Sequence, residues 1–467
     1  MTGKEIRKSF LDYFAQRGHT IVASSPVIPN DDPTLLFSNA GMNQFKTIFT
    51  GERPAPYKRA CSVQKCIRVS GKHNDFEDVG YDGTHHTFFE MLGNWSFGDY
   101  YKAEAIRFAW ELLTDIYKID KTKLYATVYL DDDEALQEWK KNTDIDPSHI
   151  SRHDKKDNFW EMGDTGPCGP CSEIHIDRGP GFCQHENTPN HKCGVNADGC
   201  GRFVELWNLV FIQYNRDESG KLNPLKFKSV DTGMGLERIV SVMSQTKTNY
   251  KTDLFTPILD QIAKDTGKKI EENHVAFQVI ADHIRGLSVA ITDGGMPGNE
   301  GRGYVIRKIL RRAIRFSRKL GNNKPYLFTL VDKVVEIFGD TYPEIRQNSE
   351  RVKTIIKTEE EKFLETLDNG LSLLSQSIDT LKKEKKTILP GDVIFKLYDT
   401  YGFPTDITKE IGRENNLTLD LEGYQKLMGE QKQRGRDSWK KSTSSATFAD
   451  IDFSELEPTI FTGYEML

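Results

Sequence analysis

The spacing of apolar residues changes along the chain and divides it into two regimes. Ile6, Phe10 and Phe14 recur at i, i+4 and i+8 behind a Thr2/Glu5 pair with capping-box spacing. This predicts an opening amphipathic helix that ends near Gly18. From Ser24 to about Ile239, short apolar runs (Thr34 to Phe37, Leu124 to Leu130, Phe203 to Ile212) alternate with turns rich in Gly, Pro and Asp, and one helical stretch falls at Lys102 to Tyr117. That alternation predicts an α+β domain on a mostly antiparallel sheet. From about Asp253 the period becomes that of a helix: Ile258 and Ile262; Phe277, Ile280, Ala281 and Ile284; Ile306, Ile309, Leu310 and Ala313; Phe363, Leu367, Leu371 and Leu374. An all-helical domain is expected to follow, with domains at 1–250 and 251–452. The charged stretches Lys382 to Lys386 and Glu430 to Lys441 read as solvated faces or linkers. At 453–467 the chain turns apolar, as a strand domain would begin, so it reads as a fragment.

Composition narrows the class. At 467 residues the chain exceeds what one hydrophobic core sustains. Its 37% hydrophobic and 28% charged residues exclude disordered and collagen-like readings. The net charge of −6 does not announce a polyanionic partner, so any such partner must be met by a local patch. The N-terminus has no apolar signal core, and nowhere do about 18 apolar residues run together, which reads as a cytoplasmic protein. Seven cysteines suit reduced thiols better than a disulfide framework.

The two commonest phosphate-binding glycine motifs are absent from the sequence, so a phosphate enzyme would have to use arginines. Arg68 ends Cys-Ser-Val-Gln-Lys-Cys-Ile-Arg and precedes a loop and the run His85-His86-Thr87-Phe88-Phe89-Glu90. This predicts a hairpin carrying a fork donor, imidazoles, a stacking ring and a carboxylate, or else a surface hairpin with core aromatics. Arg238 closes Asp231-Thr-Gly-Met-Gly-Leu-Glu-Arg, where two glycines precede a helix starting near Leu236. Asp231 and Arg238 would there place an anion and a cation on opposite sides of a bound zwitterion. Cys168-Gly-Pro-Cys171 has the spacing of a thiol redox pair but not the context of one. Cys183, Cys193 and Cys200, with one of His185 or His191, supply enough soft ligands for a structural zinc site. Between Arg302 and Lys319 lie eight basic residues and no acidic one, on a helix whose Val305, Ile309 and Ala313 face inward. Such a run is either a solvated face or a phosphate-backbone contact.

These motifs resemble the alanyl-tRNA synthetases, members of the second class of aminoacyl-tRNA synthetases. The resemblance runs through Pro-Thr-Leu-Leu-Phe-Ser-Asn-Ala-Gly-Met (33 to 42), Gln-Lys-Cys-Ile-Arg (64 to 68), Gly-Lys-His-Asn-Asp (71 to 75), His-His-Thr-Phe-Phe-Glu-Met-Leu-Gly-Asn (85 to 94), Trp-Asn-Leu-Val-Phe (207 to 211), Asp-Thr-Gly-Met-Gly-Leu-Glu-Arg (231 to 238) and Tyr-Asp-Thr-Tyr-Gly-Phe-Pro (398 to 404). It implies ATP-dependent activation of L-alanine as an adenylate and its transfer to the 3' end of tRNA-Ala. Arg68 and Arg238 would hold the ATP phosphates as the catalytic residues. His86, Trp160, Leu206, Trp207, Asn208 and Gly235 would line the nucleotide site, and Phe88, with Phe89 as the alternative, would stack on adenine. Asn208, Val210 and Asp231 would bind alanine, and Mg2+ would accompany the ATP, with Glu205 as its candidate ligand. Asn299, Arg302, Arg311 and Asp399 would bind the tRNA acceptor stem, Asn299 and Asp399 by reading a G·U wobble pair in its minor groove.

The pattern departs from the family in two places. Full-length members continue into an editing domain, itself expected to hold Zn2+, and then into a dimerising tail, so editing of mischarged Ser or Gly and the oligomerisation region are expected to be missing here. The family also leaves the metal content of the 183–200 loop open. Ser70 stands where the wider class has an acidic residue, as in the alanyl branch itself. Two rivals compete: an adenylating paralogue that makes an amide without tRNA, and a non-catalytic RNA-binding relative. The basic helix argues against the first, and Arg68, Asp231 and Arg238 against the second.

Overall fold

In a computed structural model of the chain, residues 1–29, 32, 35–70, 73–183, 185–197 and 200–443 are described. Thr34 and the 453–467 stretch lie outside them. Helix α1 (Gly3–Ala15) starts at Thr2, whose hydroxyl accepts from the Glu5 amide while the Glu5 carboxylate accepts from the Thr2 amide. Ile6, Phe10 and Phe14 are wholly buried beneath it.

Among the described residues the main sheet has nine strands: β1 (Thr20–Ile21), β2 (Arg59–Ile67), β3 (Phe88–Phe97), β4 (Leu124–Tyr129), β5 (Ile150–His153), β6 (Phe159–Glu161), β7 (Gly166–Asp177), β8 (Phe203–Arg216) and β9 (Leu222–Gly235). Their order is β1-β2-β3-β9-β8-β7-β4-β5, with β6 paired to β7. Only β1/β2 and β4/β5 run parallel. The fold is therefore α+β with a mostly antiparallel sheet. The hairpin read from the sequence is β2/β3, in register from Ile67 opposite Phe88 to Arg59 opposite Ser96. The described part of the Thr34 to Phe37 run is not a strand: Leu36 is exposed, and Arg302 holds the Leu35 and Leu36 carbonyls at 3.3 and 3.0 Å.

The helical region does not begin a separate unit near residue 250. The chain divides into Met1–Lys362 and Phe363–Leu467. In the first unit, helices α2 (Leu236–Met243), α3 (Thr256–Thr266), α4 (His274–Thr292) and α5 (Gly301–Lys319) follow the sheet. Helix α4 is buried almost all round, which marks an interior helix, and its charged groups find partners on the sheet unit. Asp282 accepts from the Thr87 amide at 3.0 Å, and the buried Arg285 pairs with Glu237 of α2. Cutting the chain at 250 would strip those partners. The second unit contains the C-terminal part of a long helix (Ser349–Lys383), then α6 (Gly391–Tyr401) and α7 (Leu421–Thr443), with Leu367, Leu374, Ile394 and Leu397 in its core.

Candidate functional site

A cavity of about 320 Å³ opens on one face of the sheet. Strand parity decides which side chains enter it. On β3, Phe89 and Met91 point into the cavity, and Phe88 and Glu90 point away from it. On β9, Asp231, Gly233 and Gly235 line it. On β8, a bulge leaves Leu206 without a partner on β7, so Glu205, Leu206, Asn208 and Val210 all reach it. Simple alternation would have put Glu205 and Asn208 on opposite faces.

Two expected residues stand off the wall of this cavity. Phe88 is fully buried in the core, its ring 5.6 Å from that of Phe338, and Phe89 is the aromatic residue on the cavity wall. Trp207 lies on the far face of β8 against Phe10 and Phe14, at ring distances of 5.8 and 6.2 Å. The hairpin's carboxylate, Glu90, also faces away, held by Arg7 at 2.8 and 2.5 Å and by the Tyr342 hydroxyl at 2.8 Å. The cavity instead gathers Arg68, His86, Trp160, Leu206, Asn208, Val210, Asp231, Gly235 and Arg238.

At one end stand the two arginines. Arg68 lies with its guanidinium 5.0 Å from the Phe89 ring centroid and donates to the Asn39 carbonyl at 3.0 Å. Arg238, in the first turn of α2, donates to the Glu205 carboxylate at 3.0 Å and to the Glu205 carbonyl at 3.1 Å. Burial by itself would raise the Glu205 pKa, but Arg238, His175 and Arg68 together hold it below the ordinary carboxylate value. His86 is buried, 2.9 Å from Asn249 and 3.3 Å from Asp282.

At the other end is Asp231, only 5% exposed, which accepts a hydrogen bond from Trp95 Nε1 at 2.6 Å. The Trp95 ring packs directly over Gly93, where a Cβ would lie 2.5 Å from it. Burial pushes the Asp231 pKa up to about 7, against the lowering effect of the Trp95 bond. A carboxylate so placed favours a cationic partner. Glu173 and Cys171 of β7 complete this end; neither Glu173 nor Trp95 was singled out from the sequence. Cys168 and Cys171 sit on a buried strand with burial raising both thiols, Cys168 to about 11, the opposite of what redox chemistry needs.

In the loop after β7, the ligand atoms of Cys183, His191, Cys193 and Cys200 all lie within 4.8 Å of one another, and Cys183 Sγ is 3.2 Å from His191 Nε2. His185 stays outside this group of four, its ring 5.7 Å from that of His191. Helix α5 is not a bare cationic face: Arg312 and Arg315 are buried, and Arg307 forms an ion pair with Glu359 at 3.1 Å. Asn299 accepts from Arg307, Arg302 bonds the Leu35 and Leu36 carbonyls, and Arg311 is half-buried. In the second unit Asp399 is exposed on α6 and accepts from Gln431 of α7 at 2.6 Å. No helix among the described residues is long and apolar enough to cross a membrane.

The cavity on the sheet thus carries two arginines at one end and a buried carboxylate at the other. The chain belongs to the family of class II (A) tRNA synthetases, whose profile matches residues 5–467. Over its whole length it is 54% identical to an alanine–tRNA ligase of Chlorobium chlorochromatii, covering 53% of that protein, and 50% identical to one of Nitrosomonas europaea, covering 52%. It thus spans about half the length of the curated relatives it matches. A solved pyrrolysyl-tRNA synthetase from Desulfitobacterium hafniense overlaps at 12% identity and a TM-score of 0.30, over 54% of this chain and 72% of that one, too slight a likeness to argue from.

Proposed function

We propose that this chain activates L-alanine with ATP and transfers it to the 3' end of tRNA-Ala. The observation that carries this reading is the buried Asp231 in the same cavity as Arg68 and Arg238. An amino acid held by its ammonium at Asp231 presents its carboxylate toward a nucleotide held by the arginines. A carboxylate oxygen attacks the α-phosphorus, the bond to the β-phosphate bridging oxygen breaks, and pyrophosphate leaves. The terminal ribose hydroxyl of the tRNA then attacks the adenylate carbonyl, and AMP leaves.

Catalysis here is positioning and charge stabilisation. Arg68 is assigned to the α-phosphate and Arg238 to the γ-phosphate; His86, Trp160, Leu206 and Gly235 line the nucleotide, with Phe89 against adenine. Asn208 and Val210 border the alanine. Magnesium entering with ATP supplies further charge neutralisation, and Glu205, an ionised oxygen donor beside Arg238, suits it. The four sulfur and nitrogen donors at Cys183, His191, Cys193 and Cys200 suit a structural zinc ion. Asn299 in the first unit and Asp399 in the second are each assigned to the tRNA acceptor stem, and Arg302 and Arg311 to its phosphates. Alanine-dependent ATP–pyrophosphate exchange, run beside tRNA charging, tests the reading and separates it from both rivals. The amide-forming paralogue would exchange without charging, and the RNA-binding relative would do neither.

A further inference from the structure

Glu173 is a buried carboxylate in the cavity wall with no part in the chemistry above. Three side-chain donors converge on it: Asn208 Nδ2 reaches Oε1 at 3.2 Å, and His175 Nε2 and Asn196 Nδ2 reach Oε2 at 3.0 and 3.2 Å. A carboxylate only accepts, so it turns the amino half of the Asn208 amide toward itself. The carbonyl half is left buried, and among the described residues none donates to Asn208 Oδ1. A buried acceptor in that state is costly unless a ligand brings the donor. Asn208 pairs with Gly233 and Val210 with Asp231, so Asn208 and Asp231 are diagonal neighbours on the cavity face of adjacent strands. An ammonium has three N–H donors and needs more than one acceptor.

We infer that Glu173 is a positioning residue that sets the Asn208 carbonyl oxygen toward the substrate ammonium, beside Asp231, and that Asn196 ties this setting to the Cys/His loop. Asn196 lies between Cys193 and Cys200 with φ +53°, a left-handed conformation that Asn tolerates better than most residues. The loop that gathers the four metal-type donors thus reaches the amino-acid pocket through two hydrogen bonds, Asn196 to Glu173 and Asn208 to Glu173. This inference rests on the proposed activation of alanine.

The test is alanine-dependent exchange by the full chain, with alanine and ATP titrated separately. Without Glu173 the amide is free to flip and offer its amino group to a cation. Glu173→Ala should raise KM for alanine about tenfold or more while KM for ATP moves less than about twofold, since a hydrogen bond to a charged group is at stake. Glu173→Gln keeps one acceptor oxygen and should lie between the two. Asn196→Ala should raise KM for alanine about two- to threefold. On an Asn208→Ala background, Glu173→Ala should add less than about twofold, because its effect runs through that amide. Equal rises in both KM values, a full effect on the Asn208→Ala background, or an unchanged alanine KM in soluble Glu173→Gln and Asn196→Ala overturns the inference alone. Absence of alanine-dependent exchange in the unaltered chain overturns the proposed function and this inference with it.

Discussion

Replacing Asp231 by Asn should separate stability from function and move them in opposite directions. In the free protein the Asp231 carboxyl is held at about 7 against an ordinary value of 3.8, because burial penalises its charged form. The folded chain therefore binds this proton more tightly than the unfolded chain does. Stability from this group is undiminished below about pH 4, falls as the pH rises toward 7, and by pH 8 has lost about 4 kcal/mol at most. Asn keeps an oxygen for the Trp95 indole and removes the charge, at the cost of an amino group to accommodate, about 1 to 3 kcal/mol. At pH 8 the variant should melt no lower than the parent, and its relative stability should decline as the pH is lowered toward 4. Alanine use should nevertheless fall by about 2 to 5 kcal/mol in kcat/KM, the cost of leaving a buried ammonium unpaired. In the parent protein the alanine KM should rise about tenfold from pH 8 to pH 6, as the ionised fraction of Asp231 drops from about nine-tenths to about one-tenth. Paired thermal melts and exchange kinetics across this range provide the assay. A destabilisation of equal size at pH 5 and pH 8, with normal alanine kinetics, would refute the reasoning and leave Asp231 a structural residue.

Other consequences follow from the same geometry. Phe89→Ala should raise KM for ATP severalfold with little change in melting temperature, whereas Phe88→Ala should destabilise the fold by about 3 to 5 kcal/mol; exchange kinetics and denaturant melts distinguish them. Glycine and serine should both support measurable exchange, since a small pocket discriminates such analogues by only about 10- to 200-fold; no exchange with either would show a stricter pocket. Protein purified without added metal should contain about one zinc per chain by elemental analysis, and Cys193→Ala should reduce that content, with well under one in the parent counting against the site. Asn299→Ala and Asp399→Ala should leave alanine-dependent exchange intact while charging of an acceptor-stem minihelix falls about tenfold or more.

Much of the architecture was legible because its signals are local. The Thr2/Glu5 cap, the change from short runs to helical periodicity, and the two motif arginines are each visible within a few residues. What escaped was the facing of strand residues. On β3 the side of Phe88 also carries Glu90, Asn94 and Ser96 and the side of Phe89 carries Met91, Trp95 and Phe97, so the sequence gives no reason to bury Phe88 rather than Phe89; only pairing with β9 and the packing of α4 settles which side is core. Trp207 was expected at the nucleotide site through the family resemblance, yet it neighbours Asn208 on a strand, and strand neighbours point to opposite faces. The bulge at Leu206 has no sequence signature. The expected boundary near residue 250 differs from the division at Lys362 for a related reason: periodicity reveals helices, but the partners of Asp282 and Arg285 lie far upstream, at Thr87 and Glu237. The cysteine loop left its histidine open because spacing alone did not choose between His185 and His191. Glu173 gave no signal at all, since its role depends on donors from β8 and the loop that only the fold brings together.

The most direct measurement is ATP–pyrophosphate exchange by the purified chain across the twenty amino acids. Exchange that is greatest with alanine, weaker with glycine and serine, and lost in Asp231→Asn and Arg68→Ala is the expected result. Exchange indifferent to the amino acid, or sustained at parental levels by Asp231→Asn, would contradict the assignment of this cavity to alanine activation.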